Sequence, residues 1–245
     1  MQEERRLTWL GHSTVVLELD GTRVVTDPLL TRRVAHLWRS TVPDFDQEVD
    51  VVLLSHLHWD HFHLPSLKQL AGSRTVVVPR GSERLVSRVG FTSVVGVRSG
   101  DTVQVGNVEL TVTHAEHASS RRARTRAEAV GYVLRGSRNV YFAGDTDLFD
   151  GMRDLREQLD VALLPVAGWG RTAGAGHLDV TKAVGALELL EPKSAVPIHW
   201  GTYAPLGLDK LSGPPTAPED FRAEAARRTP QVVVHVLPVG GSLAF

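Results

Sequence analysis

The stretch His56–His63 is the richest in side chains that could do chemistry, with four histidines and one aspartate within eight residues. It follows the apolar run Val51–Leu54, which is too short for a helix and predicts a buried strand. Pro65 indicates that a helix begins just beyond the stretch. A polar surface loop is the alternative interpretation, but this density of imidazoles at a strand end favours a metal site.

The spacing within this stretch predicts two adjacent metal sites. His56 and His58 lie two residues apart in extended backbone, so both imidazoles point to the same side. Asp60 and His61 come at the turn into the helix and can face a neighbouring point. Two imidazoles directed at one place, with a carboxylate and an imidazole directed beside it, are ligand geometry for two divalent cations.

Further polar residues follow apolar strands or glycine-rich loops elsewhere in the chain, and they are His117, Asp145, His177 and His199. Loops at one edge of a sheet can converge on a single site, so we expect these residues to complete the ligand set. The predicted ligands of one ion are His56, His58 and His117. The predicted ligands of the other ion are Asp60, His61 and His199. A bridging role between the two ions is predicted for Asp145. Such donors suit zinc, with manganese or iron as alternatives, so the predicted cofactors are two divalent metal ions.

The elements that must position these residues are mostly strands. Asp20-Gly21 predicts a tight hairpin near the amino terminus, and Asp179 is a predicted helix N-cap. Residues 31–48 and 203–220 are predicted loops, and Val232–Leu237 is predicted as the last strand. Strands followed by a helix in both halves predict two packed sheets with helices outside.

The composition is that of a globular protein. A chain of 245 residues with 42% hydrophobic content can bury a large core, and a net charge of −1 gives no general attraction for nucleic acid. The absence of cysteine excludes disulfides, thiolate ligands and a cysteine nucleophile. No run approaches the roughly 20 apolar residues of a membrane span, and residues 1–6 are charged. We therefore predict a cytoplasmic protein without a transmembrane segment.

The chain resembles the metallo-β-lactamase superfamily in its ordered pattern His56-x-His58-x-Asp60-His61, then His117, Asp145 and His199. Three further segments are similar to the branch that contains N-acyl-phosphatidylethanolamine-hydrolysing phospholipase D and the ascorbate-6-phosphate lactonases. They are Trp9–Ser13, Phe142–Thr146 and Ile198–Thr202. The resemblance implies a four-layer αβ/βα sandwich with two mixed sheets flanked by helices, and one hydrolase domain over residues 1–245. It also implies that Asp27 supports the ligand loop from behind; we interpret His12 and His63 as supporting or packing residues.

The predicted function is that of a dinuclear metal-dependent hydrolase. A hydroxide bridging two cations is nucleophilic at neutral pH and would attack a phosphodiester, an ester or a lactone, as in a phospholipase D or a phosphorylated-lactone hydrolase. We expect Asp60 to bind metal and also to orient the nucleophile or carry its proton. His177 is expected to bind substrate or stabilise the oxyanion; capping of the next helix is the alternative.

Two local choices are left open by the residues themselves. His114 and His117 are alternative candidates for the third group of ligands, and extended spacing places them on opposite faces. The segment His117-x-Ser119-x-Arg121 resembles the third metal motif of the phospholipase, which favours His117. The basic run that begins at Arg121 predicts either a solvated loop or phosphate recognition through Arg121.

The predicted substrate is a small-molecule or lipid-like ester, with or without a phosphate group. We expect no nucleic-acid partner, because the segment between Asp145 and His199 is too short for the extra domain of the nucleic-acid-processing branch. A homo-oligomer is left open. The alternative function is a non-hydrolytic sensor or interaction protein that holds metal on the same fold, and an iron-based oxidoreductase is a third option.

Overall fold

The computed structural model of the protein describes residues 5–39, 41–117, 127–168, 174–205 and 216–245. Within these ranges the chain forms two seven-stranded mixed sheets, a small three-stranded sheet and helices on the outer faces. None of the helices in these ranges is long and apolar enough to cross a membrane.

The first large sheet is built from the amino-terminal part of the chain and one strand from its carboxyl-terminal end. Its strands are β1 (Arg6–Gly11), β2 (Thr14–Leu19), β3 (Thr22–Thr26), β6 (Val51–Leu53), β7 (Gly72–Pro79), β8 (Phe91–Val97) and β17 (Ser242–Ala244). Their order across the sheet is β17-β1-β2-β3-β6-β7-β8. Pairing is antiparallel from β17 to β3 and parallel from β3 to β8. The turn at Asp20-Gly21 has φ angles of 50° and 74°, which fit the two-residue hairpin turn that this dipeptide predicts.

The second large sheet repeats this mixture of pairings. Its strands are β9 (Thr102–Val105), β10 (Val108–His114), β11 (Val130–Arg135), β12 (Asn139–Phe142), β13 (Val161–Pro165), β14 (Ser194–Ile198) and β16 (Val233–Val234). Their order is β16-β14-β13-β12-β11-β10-β9. The first four are parallel and the remaining pairs are antiparallel.

Helices cover the outer face of each large sheet, and apolar side chains explain the layering. On the first sheet lie α1 (Leu64–Leu70) and α2 (Glu83–Ser87), and on the second lie a 3-10 helix (Asp150–Leu155), α3 (Val180–Leu190) and α4 (Ala217–Arg228). Alternate residues of a strand face opposite sides. In β6, Val51 and Leu53 enter the core between the sheets while Val52 packs under α1 and α2. In β12, Phe142 enters the central core while Tyr141 packs with the outer helices. This arrangement confirms the predicted four-layer αβ/βα sandwich.

The strand directions place many chain turns at one edge of the sandwich. β1, β3 and β6 run the same way in the first sheet, since β2 is antiparallel to both of its neighbours. β10, β12, β13 and β14 likewise share a direction in the second sheet. Residues that follow these strands therefore meet at the carboxyl edges of the two sheets, where ligand sites of such folds form.

The two segments 31–48 and 203–220, both predicted as loops, meet each other in the small sheet. Its strands are β4 (Arg33–Val34), β5 (Leu37–Trp38) and β15 (Ala204–Pro205). β5 pairs antiparallel with both β4 and β15. Strands of two residues leave almost no sequence pattern, because their pairing is specified by the partner strand rather than by periodicity.

The predicted last strand Val232–Leu237 is wrong in its extent. Only Val233–Val234 pairs with β14, and the chain then crosses to the first sheet, where Ser242–Ala244 pairs with β1. The crossing is fixed by backbone hydrogen bonds of Trp9, whose N–H donates to the Gly241 carbonyl at 3.0 Å. The apolar pattern does not reveal which sheet edge a terminal strand will join.

We predict that Tyr132→Phe lowers the free energy of unfolding by about 1 kcal/mol. The buried Tyr132 hydroxyl of β11 donates to the Leu54 carbonyl at 2.7 Å, which links the two large sheets beneath the ligand loop. Urea denaturation measures the change. Tyr141→Phe is the matched control, because the buried Tyr141 hydroxyl contacts Thr113 of its own sheet and so does not link the two large sheets. Equal effects of the two variants would contradict the role given to the Tyr132 bond.

Candidate metal centre

Three imidazole nitrogens converge at the edge of the sandwich. His58 Nδ1 lies 2.9 Å from His56 Nε2 and 3.0 Å from His117 Nε2. His56 and His58 follow β6 of the first sheet, whereas His117 follows β10 of the second sheet. The fold therefore brings together the three residues that the sequence assigned to one ion, and we call them the three-histidine group.

The imidazoles of the three-histidine group are suited to binding a cation, because they are held in their neutral form. Burial lowers the pKa of each of the three imidazoles below the ordinary histidine value, most strongly for the almost fully buried His56. A neutral imidazole offers a nitrogen lone pair, which is the form in which histidine binds metals.

A second group lies beside the first and contains a carboxylate. Asp60 Oδ2 is 3.6 Å from His61 Nε2 and 3.7 Å from His199 Nε2. His12 Nε2 lies 3.1 Å from the same oxygen. We call Asp60, His61 and His199 the Asp60 group. His12 reaches the same point, although sequence analysis had placed it outside the ligand set.

Asp145 lies between the two groups. Its Oδ2 is 3.3 Å from His61 Nε2 and 4.0 Å from His56 Nε2, and its Oδ1 is 3.4 Å from His199 Nε2. One carboxylate thus faces donors from both groups. This is the position expected of the bridging ligand.

The protonation of the metal-free site reflects its two buried carboxylates. Burial alone would raise the pKa values of Asp60 and Asp145, but the neighbouring histidines hold both well below the ordinary value. Burial would likewise lower the pKa of His61 and His199, yet Asp145 and Asp60 raise it well above the ordinary value for His61 and to about 9 for His199. Positive charge is therefore held where a cation would bind.

The donor set fits a divalent metal. His61 Nε2 and Asp145 Oδ1 are buried, and their contacts with Asp145 Oδ2 at 3.3 Å and with His199 Nε2 at 3.4 Å lack good hydrogen-bond geometry. Leaving buried polar atoms unsatisfied is costly. Both atoms face the space shared by the two groups, and a bound cation would satisfy them.

Asp27 supports the ligands from behind through Ser55. Asp27 Oδ1 accepts from the Ser55 N–H at 2.7 Å, and Oδ2 accepts from the Ser55 hydroxyl at 2.5 Å and from His61 Nδ1 at 2.7 Å. The Ser55 oxygen lies 2.9 Å from His56 Nδ1. Because the serine hydroxyl donates to Asp27, this network places the Nδ1 protons of His56 and His61 away from the site and leaves Nε2 for a ligand role. Sequence reasoning missed Ser55, whose only signal was its position directly before the first histidine.

Backbone carbonyls orient two further imidazoles. His199 Nδ1 lies 2.9 Å from the Ala167 carbonyl, and His117 Nδ1 lies 2.6 Å from the Gly176 carbonyl. Each contact places the ring proton on Nδ1, so that Nε2 faces the site. Sequence reasoning did not find these contacts, since a carbonyl acceptor has no side-chain signature.

Several site residues occupy left-handed backbone. The φ angle is 52° at His12, 33° at Asp27 and 62° at His199. Such angles cost energy in non-glycine residues and persist where surrounding contacts enforce them. Here the Trp9 and Trp200 rings stack at 4.8 Å, and the His199 N–H donates to the His12 carbonyl at 2.9 Å. These contacts explain why tryptophan accompanies the histidine in both motif segments.

His177 lies at the open side of the centre. Its Nε2 is 3.5 Å from Asp145 Oδ2, and its ring centroid is 4.7 Å from that of His117. It is not the cap of α3, because the Asp179 side chain accepts from the Lys182 N–H at 2.9 Å. The structure therefore leaves His177 available to the site.

Two remaining candidates lie away from the two groups of donors, and a third falls outside the described residues. The His114 ring packs edge-on against Phe149 at 5.0 Å, and His114 is absent from the groups that could hold a metal among the described residues. His63 Nδ1 bonds the Ser66 hydroxyl at 2.8 Å at the start of α1. Arg121 lies outside the described residues.

Comparison with known proteins assigns the chain to a family. Residues 22–200 match the family described as the beta-lactamase superfamily domain. The chain belongs to the metallo-β-lactamase superfamily.

Relatives in sequence and solved structures of similar fold cover nearly the whole chain. A UPF0173 metal-dependent hydrolase of Methanopyrus kandleri is 32% identical, over 97% of this chain and 98% of its own. The structure of Igni18, described as a metallo hydrolase from Ignicoccus hospitalis, has a TM-score of 0.76 and 25% identity, and covers 98% of each chain. The diiron β-hydroxylase CmlA of Streptomyces venezuelae has a TM-score of 0.74 and 18% identity, over 100% of this chain and 55% of its own, which shows a shared fold.

We predict that Asp27→Asn weakens zinc binding by about 10- to 100-fold. An amide cannot accept all three hydrogen bonds from Ser55 and His61, so both imidazole orientations loosen. Competition with a chromogenic chelator measures the affinity. Asp50→Asn is the control, because the exposed Asp50 accepts from the Arg23 N–H at 2.8 Å away from the site. Unchanged affinity in the Asp27 variant would remove the supporting role.

We also predict that metal affinity rises with pH from neutral pH through the pKa of His199, which is about 9. In the metal-free protein the pKa values of His61 and His199 are raised, so both retain protons at neutral pH that a cation must displace. Raising the pH through the pKa of His199 removes the part of this competition that comes from His199. Calorimetric titration at pH 7 in buffers of different ionisation enthalpy measures the protons released. Binding without proton release at pH 7 would contradict the assignment.

Proposed function

We propose that this protein is a metal-dependent hydrolase with a dinuclear centre. The observation that carries the proposal is the convergence of two groups of donor atoms, the three-histidine group and the Asp60 group, which both approach the carboxylate of Asp145. The relatives support the same reaction class, since the Methanopyrus kandleri protein is named a metal-dependent hydrolase and Igni18 a metallo hydrolase.

The three-histidine group would hold one cation and the Asp60 group the other, with Asp145 shared. When bound, two such cations supply Lewis acidity and a water nucleophile at neutral pH. Imidazole and carboxylate donors suit zinc, with manganese or iron as alternatives. The diiron enzyme of similar fold is a reason to include iron among the metals that are measured.

Asp60 would bind metal and orient the attacking water by accepting a hydrogen bond from it. Its pKa is held well below the ordinary value by His61 and His12 against the opposing effect of burial, so it is a carboxylate at neutral pH. Burial and the charge of His199 lower the pKa of His12 to about 3. His12 is therefore neutral at pH 7, and its Nε2–H can hold Asp60 Oδ2 in place without adding a charge to the site.

His177 would bind substrate and stabilise the negative charge that develops on the substrate oxygen. About a quarter of its side chain is exposed, and its Nε2 lies 3.5 Å from Asp145 Oδ2. It is therefore within reach both of the ligand set and of a molecule that enters from solvent. A positioned donor at a developing oxyanion is among the largest contributions to catalysis.

The substrate class we propose is a phosphodiester, an ester or a lactone of a small molecule or a lipid. The motif segments Trp9–Ser13, Phe142–Thr146 and Ile198–Thr202 support this range, because they resemble the phospholipase and lactonase branch. Phosphate recognition by Arg121 stays a prediction.

The test combines metal analysis with hydrolysis of bis-p-nitrophenyl phosphate and of a simple lactone. We expect about two equivalents of metal per chain, and more than about a 100-fold loss of turnover in Asp145→Ala. Asp154→Ala, which removes an exposed carboxylate of the 3-10 helix, is the control and should retain both metal and turnover. Turnover of the lactone alone would assign a lactonase. Two bound metals without turnover on any ester class would favour the non-hydrolytic metal-binding protein, and absence of bound metal would overturn the proposal.

A further inference from the structure

The ion pair Asp147–Lys182 lies directly behind the three-histidine group. We propose that this pair positions His117 and thereby sets the metal affinity of the three-histidine group separately from that of the Asp60 group. The inference deepens the proposed function and rests on it, since it concerns how one of the two proposed metal sites is held in place.

The first step is the link from the ligand to the loop behind it. His117 Nδ1 donates a hydrogen bond to the Gly176 carbonyl oxygen at 2.6 Å. The N–H of the same glycine donates to Asp147 Oδ2 at 3.0 Å. Both polar backbone atoms of Gly176 are thus engaged, one by the proposed ligand and the other by Asp147. Any movement of Gly176 would carry the His117 ring with it.

The second step is the link from Asp147 to α3. Lys182 Nζ lies 2.6 Å from Asp147 Oδ1 and 3.4 Å from the His177 carbonyl. Lys182 sits in the first turn of α3, where its N–H donates to the cap residue Asp179. The lysine therefore fastens the loop 174–177 to the start of a packed helix.

The third step is a second contact from the same segment to the strand end that carries His117. The Asp147 N–H donates to the Glu116 carbonyl at 2.8 Å, and the Glu116 N–H donates to Thr146 Oγ1 at 2.9 Å. Two sets of hydrogen bonds therefore constrain His117, one through its ring and Gly176 and the other through the backbone of Glu116. Both sets include Asp147.

The Asp147–Lys182 ion pair is suited to positioning His117 rather than to stabilising the fold. The Lys182 side chain is 35% exposed and that of Asp147 is 22% exposed, and pairs that water can reach contribute little to stability. By contrast, a small displacement of a ligand changes metal affinity strongly. In the Asp60 group, His61 is oriented by Asp27 and His199 by the Ala167 carbonyl. Loss of the pair should therefore weaken one site.

The experiment compares zinc titrations of metal-free wild type, Lys182→Met, Lys182→Arg and Lys193→Met in competition with a chelator. Lys193 is the matched control, because its Nζ lies 2.8 Å from Asp160 Oδ1 before β14, at the opposite edge of the sheet. We expect Lys182→Met to weaken one of two sites by about 10-fold or more, with Lys182→Arg restoring most of the affinity. Lys193→Met should match the wild type. Thermal unfolding of the metal-free variants should stay close to that of the wild type.

A second readout uses no bound metal. Nitrogen-15 NMR of the histidines in the metal-free protein reports the Nδ1 proton of His117, assigned by comparison with His117→Gln. We expect this signal to shift or broaden in Lys182→Met and to be unchanged in Lys193→Met. These effects would be absent if Lys182 served the fold alone.

The outcomes separate the inference from the proposed function. If the wild type binds two metals and Lys182→Met binds both as tightly as Lys193→Met, the inference is overturned and the function stands. Equal weakening of both sites also overturns it, because the support would not be specific to the three-histidine group. If the wild type binds no metal, the proposed function fails and the NMR signal decides the inference: an unchanged His117 signal in Lys182→Met overturns it.

Discussion

The burial of Asp60 and Asp145 side by side is the constraint on which the site depends. Two carboxylates removed from water must be neutralised, and the protein does so by surrounding them with imidazoles. The raised pKa values of His61 and His199 reflect the same need for neutralisation. Burial alone would lower these pKa values, but the negative charges of Asp145 and Asp60 keep the two rings protonated. In the metal-free protein this arrangement holds positive charge as protons on His61 and His199. The same electrostatics suit the edge of the sandwich to a divalent cation.

The fold supplies this arrangement through strand direction. The proposed ligands come from turns that follow β6, β10, β12 and β14, and His12 and Asp27 come from the turns after β1 and β3. Because these strands all end at the same edge, residues more than a hundred positions apart reach one point. These turns require energetically unfavourable left-handed backbone at His12, Asp27 and His199. The Trp9–Trp200 stack holds two of these turns against each other, so that part of the central core serves to fix the site.

The two sheets also contribute separate supports for the ligands. Asp27 and Ser55 of the first sheet orient His56 and His61, whereas the Ala167 and Gly176 carbonyls beyond the second sheet orient His199 and His117. Each group of donors therefore spans both sheets and depends on how they pack. Tyr132, which reaches from β11 to the Leu54 carbonyl, lies at this junction. Packing of the sandwich and geometry of the centre are in this way coupled.

The sequence alone determined which side chains could do the chemistry, because metal ligands are side-chain types at strand ends and both features are local. His56, His58 and Asp60 were recognisable from spacing, and the hairpin at Asp20-Gly21 and the cap at Asp179 from turn and cap chemistry. The tertiary structure decided what depends on distant partners: the approach of His12 to Asp60, the serine link from Asp27 to His56, and the carbonyls that set each ring. It also decided that Ser242–Ala244 joins β1 rather than extending the second sheet. Local patterns carry no information about such contacts, since an edge strand or a backbone carbonyl acquires its partner only when the sheets have packed.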